Sequence, residues 1–112
     1  MNDHLRTQKS SDNTQQVLKK TLDIICGKWR LYIIYQLGTE SRRYGELRRL
    51  IPEVSEKVLV QELKELVTLG VIQKKSFSEV PPRVEYSLTP KGQQVLPTLL
   101  KLTSIGETFL EP

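Results

Sequence analysis

The stretch that decides the fold spans residues 55–92 and reads SEKVLVQELKELVTLGVIQKKSFSEVPPRVEYSLTPKG. Its first half predicts a helix over residues 55–69, because Ser55 is a good N-cap and leucines recur at helical spacing behind it. Gly70 then ends the helix. The predicted inward face consists of Leu59, Leu63 and Leu66, flanked by Val60 and Val67. The opposite face is polar and carries Lys57, Gln61, Lys64, Glu65 and Thr68.

The second half of the same stretch predicts a β-hairpin. Residues 71–78 and 84–88 are rich in β-branched and aromatic side chains, and residues 79–83 form the turn between them. Pro81 and Pro82 remove two backbone donors from the tip, so the tip cannot extend the sheet. A helix that ends at a glycine and leads directly into a hairpin is the order found in a winged helix.

Two further helices are predicted near the N-terminus. Residues 1–14 are polar and lack an apolar period, which predicts a disordered arm ahead of one domain over residues 15–112. Residues 15–25 are expected to form a short helix that a glycine then breaks or bends. Residues 28–37 are apolar or aromatic nearly all round. They predict a helix buried on most sides, with Trp29 in the core rather than stacked on a base.

The segment before Ser55 predicts a helix-turn-helix. Residues 42–44 are expected to form a very short strand, and residues 45–51 a helix that Pro52 ends. The turn at residues 52–54 is short, as in two packed helices joined by a tight connection. Together with the hairpin, these elements predict a mainly α fold with a small antiparallel hairpin, that is, a winged helix-turn-helix.

The charge distribution favours a double-stranded DNA partner. The whole chain has a net charge of +4, and residues 42–49 alone set four arginines against one glutamate. This arginine cluster directly precedes the helix with the polar outer face, which is the element that enters a major groove in such folds. The predicted phosphate contacts are Arg42, Arg43, Arg48, Lys64 and Arg83. The side chains predicted nearest the bases are Ser55, Lys57 and Gln61.

Other interpretations of these residues stay open at this point. The arginines could simply be solvated, and Arg83 could pair with Glu79 or Glu85 instead of a phosphate. A winged-helix adaptor that binds another protein is the main alternative, because acidic side chains on or near the outer helix repel phosphate; these are Glu56, Glu62 and Glu65. A general chromatin-like binder would carry a larger basic excess than +4.

The C-terminal segment carries more apolar surface than one small domain can cover. Thr89 and Pro90 are a good helix start, and Pro97 is expected to kink the helix or to begin a new segment. Extra N- and C-terminal helices are therefore expected to form a homodimer, which presents two recognition helices to half-sites ~34 Å apart. The predicted dimer interface comprises Val17, Leu18, Leu99, Leu102, Ile105 and Phe109.

Composition disfavours several classes of protein. One cysteine and one histidine provide neither a metal cluster nor a Ser-His-Asp site, so no metal, cofactor or catalytic residue is predicted and an enzyme is not expected. No apolar run of membrane-spanning length and no secretory leader are evident, which predicts a cytoplasmic protein without a membrane partner. A small apolar effector between the terminal helices is a further hypothesis, with its identity open.

Five segments resemble the HxlR-type transcriptional regulators. They are residues 21–25 (TLDII), 27–29 (GKW), 43–47 (RYGEL), 55–59 (SEKVL) and 79–89 (EVPPRVEYSLT). The similarity covers residues 17–109. The resemblance implies a dimeric winged helix-turn-helix regulator of bacteria or archaea, with terminal helices in the interface. It also implies that the helix after Pro52 reads the major groove and that the Pro-Pro hairpin is the wing.

Two positions depart from the pattern of that family. Many members carry a Cys-Pro pair where this chain has Gln16 and Val17, and some sense oxidants or aldehydes with that cysteine, so this role does not carry over. Cys26 stands where glycine is usual. A free cysteine on an apolar helix edge is usually a small buried hydrophobe. A redox role for Cys26 would need an activated thiolate, which Lys28 or a helix N-terminus could favour.

Overall fold

The computed structural model describes the backbone of residues 2–111 and the side chains of residues 12–111. Within this part of the chain, helices and strands follow in the order α1 (Asn2–Ile25), α2 (Arg30–Leu37), α3 (Tyr44–Leu50), α4 (Glu56–Thr68), β1 (Ile72–Phe77), β2 (Arg83–Leu88), α5 (Pro90–Gln93) and α6 (Val95–Leu110). The predicted fold class, a winged helix-turn-helix with additional terminal helices, is confirmed. None of the described helices is both long and apolar enough to span a membrane.

The hairpin forms the wing of the fold. Strands β1 and β2 pair antiparallel, with Ile72 opposite Leu88 at the base and Phe77 opposite Arg83 next to the tip. Arg42 and Tyr86 exchange two backbone hydrogen bonds of 2.8 Å, which adds one residue of a third strand to the hairpin. The predicted strand over residues 42–44 is therefore reduced to a single bridging residue, and it fastens the segment before α3 to the wing.

The core lies between α2, α3, α4 and the base of the hairpin. The predicted leucine stripe of α4 is buried, as expected from its helical spacing. Val60, predicted beside that stripe, is 40% exposed because it lies toward the outer side of the helix. The main core residues outside α4 are Ile33, Ile34, Leu37, Leu47, Ile51, Val54, Val71, Ile72 and Leu88.

The N-terminal helices differ from the prediction. The structure places residues 2–14 in α1, where a disordered arm was expected, and residue 1 lies outside the described residues. Neither glycine nor proline occurs between Asn2 and Ile25, so nothing breaks the backbone hydrogen bonding of that helix. Helix α2 is buried on one side only, since Tyr32 and Tyr35 are more than half exposed. Trp29 packs against the core, as predicted.

The connection from the wing to the C-terminal helix is tightly packed. Thr89 caps α5: its hydroxyl oxygen accepts from the Gly92 N–H at 3.1 Å. Gly92 lies so close to the backbone of Val71 that an added Cβ would stand 2.0 Å from that carbonyl oxygen. The helix is interrupted at Gln94, and α6 begins at Val95. Pro97 thus lies in the first turn of a new segment, which was one of its two predicted roles.

Candidate nucleic-acid interface

Helix α4 presents the polar face predicted for DNA reading. Its first turn is capped by Ser55, whose Oγ accepts from the Val58 N–H at 3.2 Å. The side chains of Lys57, Gln61 and Lys64 are exposed on successive turns of the helix. The buried leucine stripe fixes the rotation of α4 about its axis, so these three side chains face away from the core. Side chains on such a face can reach base edges and phosphates.

The arginine cluster before α4 divides into two kinds of residue. Arg43 and Arg49 are exposed. Arg48 is half-buried, and its Nη1 donates to the carbonyl of Val54, which holds the turn between α3 and α4. Arg42 is also half-buried and donates from Nε to the carbonyl of Gln36. Two of the four arginines thus bind backbone carbonyls within the protein, Arg48 at the turn before α4 and Arg42 near the end of α2, a role that the charge pattern alone did not reveal.

The wing arginine is paired within the protein. Arg83 Nη2 lies 3.1 Å from a carboxylate oxygen of Glu79, and its Nε lies 3.3 Å from one of Glu85. Its guanidinium also covers the ring of Phe77. The ion pairs that the sequence left as an alternative for Arg83 are therefore both present. A phosphate contact by Arg83 stays a prediction.

A cleft of about 460 Å³ separates α4 from the wing. Lys64 of α4 and Lys74 of β1 both line it, together with Tyr44 and Tyr86. Burial raises the pKa of the Tyr86 hydroxyl above its ordinary value and so further favours the neutral form, which can donate a hydrogen bond. Lys74 was not among the predicted contacts, although its place on the strand opposite Tyr86 brings it into the cleft that Lys64 also lines.

Arg30 is the functional candidate that sequence reasoning missed. It is only 9% exposed, and it donates to a carboxylate oxygen of Glu62 and to one of Glu65, both on α4. Its Nη1 also donates to the carbonyls of Asp23 and Ile24 at the end of α1. The hydrogen bond with Glu62 is the main cause that raises the pKa of Arg30 above its ordinary value, which is already high enough to keep the guanidinium charged.

This contact changes the electrostatics of helix α4. Helix α4 carries two lysines and three glutamates, an unfavourable balance for a surface that approaches phosphates. Arg30 pairs with two of those glutamates, Glu62 and Glu65, and its single positive charge offsets one of their two negative charges. A signal was present in the sequence: Arg30 is a charged residue at the start of an otherwise apolar helix, and such a residue requires a partner if it is buried.

The terminal helices leave an apolar surface uncovered in the single chain. Leu102, Ile105 and Phe109 of α6 are exposed, and Phe109 reaches 81%. Val17 and Leu18 of α1 are more than half exposed. An apolar groove of about 580 Å³ runs between the two helices and is lined by Leu18, Leu22, Ile25, Leu99 and Leu102, among others. The predicted dimer interface at these residues stays a prediction.

Two residues of this region differ from expectation. Leu99 was predicted in the dimer interface, but it is only 8% exposed because α6 packs that side chain toward α2 within the same chain. Cys26 is exposed in the single chain directly after α1, where a buried packing residue was expected, and it also lines the apolar groove between α1 and α6. Its redox role stays a prediction. Among the side chains of residues 12–111, no group of three or more potential ligands could hold a metal ion.

Known proteins share this fold and sequence pattern. Residues 24–112 match the family described as HxlR-like helix-turn-helix. YdeP of Bacillus subtilis (strain 168), named an HTH-type transcriptional regulator, is 39% identical over 92 residues, which cover 82% of this chain and 72% of YdeP. A structure from Porphyromonas gingivalis W83, described as a MarR-family regulator, superposes with a TM-score of 0.76 at 51% identity. The superposition covers 80% of this chain and 88% of the Porphyromonas chain. The redox regulator HypR in its oxidized form superposes with a TM-score of 0.77 at 35% identity, and the superposition covers 81% of this chain and 94% of the HypR chain.

Proposed function

Because the chain belongs to the HxlR-like helix-turn-helix family of transcriptional regulators, we propose that it is a homodimeric, cytoplasmic regulator that binds double-stranded DNA in a sequence-specific manner. Helix α4 enters the major groove, and the hairpin tip contacts the backbone or the adjacent minor groove. The two copies of α4 in the dimer read two half-sites about one helical turn apart.

The observation that carries this proposal is the exposed face of α4. Lys57, Gln61 and Lys64 project from a helix whose opposite side is locked into the core, and Ser55 stands at its N-terminal end. Glutamine can make two hydrogen bonds to the major-groove edge of an adenine, at N6 and N7, and lysine reaches guanine or phosphate. We assign base contacts to Ser55, Lys57 and Gln61, and phosphate contacts to Lys64 and Arg43.

The remaining predicted contacts keep a supporting role in the proposal. Arg42 and Arg48 hold the backbone around the helix-turn-helix, and their partly exposed side chains add positive potential next to the DNA. Arg83 contributes a phosphate contact from the wing once the DNA competes with Glu79 and Glu85 for its guanidinium.

A dimer supplies the second reading helix. The exposed apolar residues of α1 and α6 would be covered by the same residues of a second copy, as in a two-fold symmetric interface. The proposed interface comprises Val17, Leu18, Leu102, Ile105 and Phe109, with Leu99 behind it.

The main argument for a protein-binding adaptor is weakened by the structure. It relied on acidic side chains of the outer helix, and two of these, Glu62 and Glu65, are bound by Arg30. Glu56 remains, but it lies in the first turn of α4, where a carboxylate also stabilises the helix dipole.

Selection from a pool of random DNA duplexes tests the proposal. The full-length protein is mixed with the pool, and bound duplexes are amplified and sequenced over several rounds. We expect enrichment of an inverted repeat whose half-sites are spaced by about 10 base pairs from centre to centre. Enrichment of no common motif, with binding that depends only on salt, would contradict sequence-specific recognition.

A further inference from the structure

Arg30 connects two helices that the proposed function assigns to different surfaces. On one side its Nη1 binds the carbonyls of Asp23 and Ile24, at 3.2 and 2.9 Å. These carbonyls belong to the last turn of α1, where backbone carbonyls have no N–H donor within the helix. On the other side Nε and Nη2 bind Glu62 and Glu65 of α4. The guanidinium therefore uses all three of its nitrogens.

The two carboxylates give α4 two anchor points. Glu62 and Glu65 are three residues apart and so lie on adjacent turns of the same side of the helix. Bonds at two turns resist both rotation of α4 about its axis and sliding along it. A lysine would keep the charge but could not make this set of bonds, because its ammonium is a compact point charge without a planar fork.

We propose that Arg30 is a positioning residue for DNA recognition: it fixes α4, through Glu62 and Glu65, against the end of α1 and thereby sets the spacing of the two reading helices in the dimer. This inference rests on the proposed function. Helix α1 carries part of the proposed dimer interface, and α4 carries the reading face, so a rigid link between them converts the geometry of the dimer into a fixed distance on DNA.

The preferred spacing of half-sites tests this role. The duplexes contain one inverted repeat with the two half-sites moved apart or together by one to several base pairs, and a further duplex contains a single half-site. Fluorescence anisotropy gives the affinity of each. We expect the wild-type protein to prefer one spacing. In Arg30→Lys we expect that preference to fall about tenfold, because a tenfold change in affinity corresponds to the loss of about one charge-assisted hydrogen bond. Affinity for the single half-site should be retained.

A second variant keeps the test valid if Arg30→Lys does not fold. Glu65 is half exposed, so Glu65→Ala removes one anchor point with little risk to the core. The matched control is Glu53→Ala, which removes an exposed carboxylate from the turn before α4 without touching Arg30. We expect Glu65→Ala to lose spacing preference and Glu53→Ala to keep it. Circular dichroism and thermal unfolding identify variants that are folded.

The outcomes separate this inference from the proposed function. If folded Arg30→Lys and Glu65→Ala keep the wild-type spacing preference, Arg30 does not position α4. If they lose affinity equally for every duplex, including the single half-site, their effect is one of charge and the inference is also overturned. If the wild-type protein binds all duplexes alike, whatever their sequence, the proposed function itself fails.

Discussion

Arg83 lies directly over the ring of Phe77, with its Cζ 4.1 Å from the ring centroid. The two residues are opposite one another in the hairpin, at the pair nearest the tip. The same guanidinium is paired with Glu79 and Glu85. Its cation–π contact and its two ion pairs hold Arg83 in one place on the wing, where its positive charge is partly masked by the carboxylates.

Removal of one of those carboxylates should strengthen DNA binding. In Glu79→Gln the charge of Arg83 is less masked, so we expect higher affinity for specific and non-specific duplexes alike, with a steeper dependence on salt. The control is Glu107→Gln, which removes an exposed carboxylate from α6. Equal affinities of the two variants, measured by fluorescence anisotropy, would show that Arg83 makes no phosphate contact.

Gly92 should tolerate no side chain. In Gly92→Ala the new Cβ would meet the carbonyl oxygen of Val71 at 2.0 Å, and backbone atoms cannot move aside as a side chain can. We expect a loss of about 3 kcal/mol in the free energy of unfolding, measured by urea denaturation. The control is Gly45→Ala, whose Cβ would meet nothing within 4 Å. A loss of equal size in both variants would contradict the packing argument.

The N-cap of α4 should contribute measurably to the stability of the protein. Ser55→Ala removes the acceptor of the Val58 N–H, so we expect the protein to lose about 1 kcal/mol of stability. Ser78→Ala, at an exposed position after β1, is the matched control and should leave stability unchanged. If the cap variant unfolds at the same urea concentration as the wild type, Ser55 does not stabilise α4.

The proposed dimer should dissociate when a charge enters its interface. Leu102 is exposed on α6 in the single chain, and burying a glutamate there against a second copy is costly. We expect Leu102→Glu to sediment as a monomer and the wild type as a dimer in analytical ultracentrifugation. Val80→Glu, at a fully exposed apolar residue of the wing tip, should remain dimeric. A dimeric Leu102→Glu protein would place the interface elsewhere.

Local signals account for the parts of the fold that the sequence predicted correctly. The helix over residues 55–69 has an N-cap, a leucine stripe and a glycine whose φ of 77° suits the end of a helix. The hairpin has two β-rich runs around a double proline. Each of these signals acts within a few residues, so neither element needed knowledge of the rest of the chain.

The parts that were missed depend on contacts between distant residues. Arg30 binds Glu62 and Glu65 more than thirty positions away, and no local pattern identifies that pairing. The internal roles of Arg42 and Arg48 likewise depend on which carbonyls the folded chain brings within reach. The sequence pattern places Leu99 and Leu102 on the same apolar stripe of the C-terminal helix. Only the packing of α6 on α2 shows that Leu99 is buried within the chain and Leu102 is exposed.

The central claim is sequence-specific DNA binding by α4, and the most direct test is a comparison of two duplexes. Fluorescence anisotropy measures the affinity of the wild-type protein for the duplex enriched from the random pool and for a scrambled duplex of equal length and composition. We expect the enriched duplex to bind at least about 10³-fold more tightly at physiological salt. Lys64→Ala should weaken binding to both duplexes and lower the slope of log affinity against log salt concentration by about one. Gln61→Ala should weaken binding mainly to the enriched duplex. Equal affinity of the wild-type protein for the two duplexes would contradict the account.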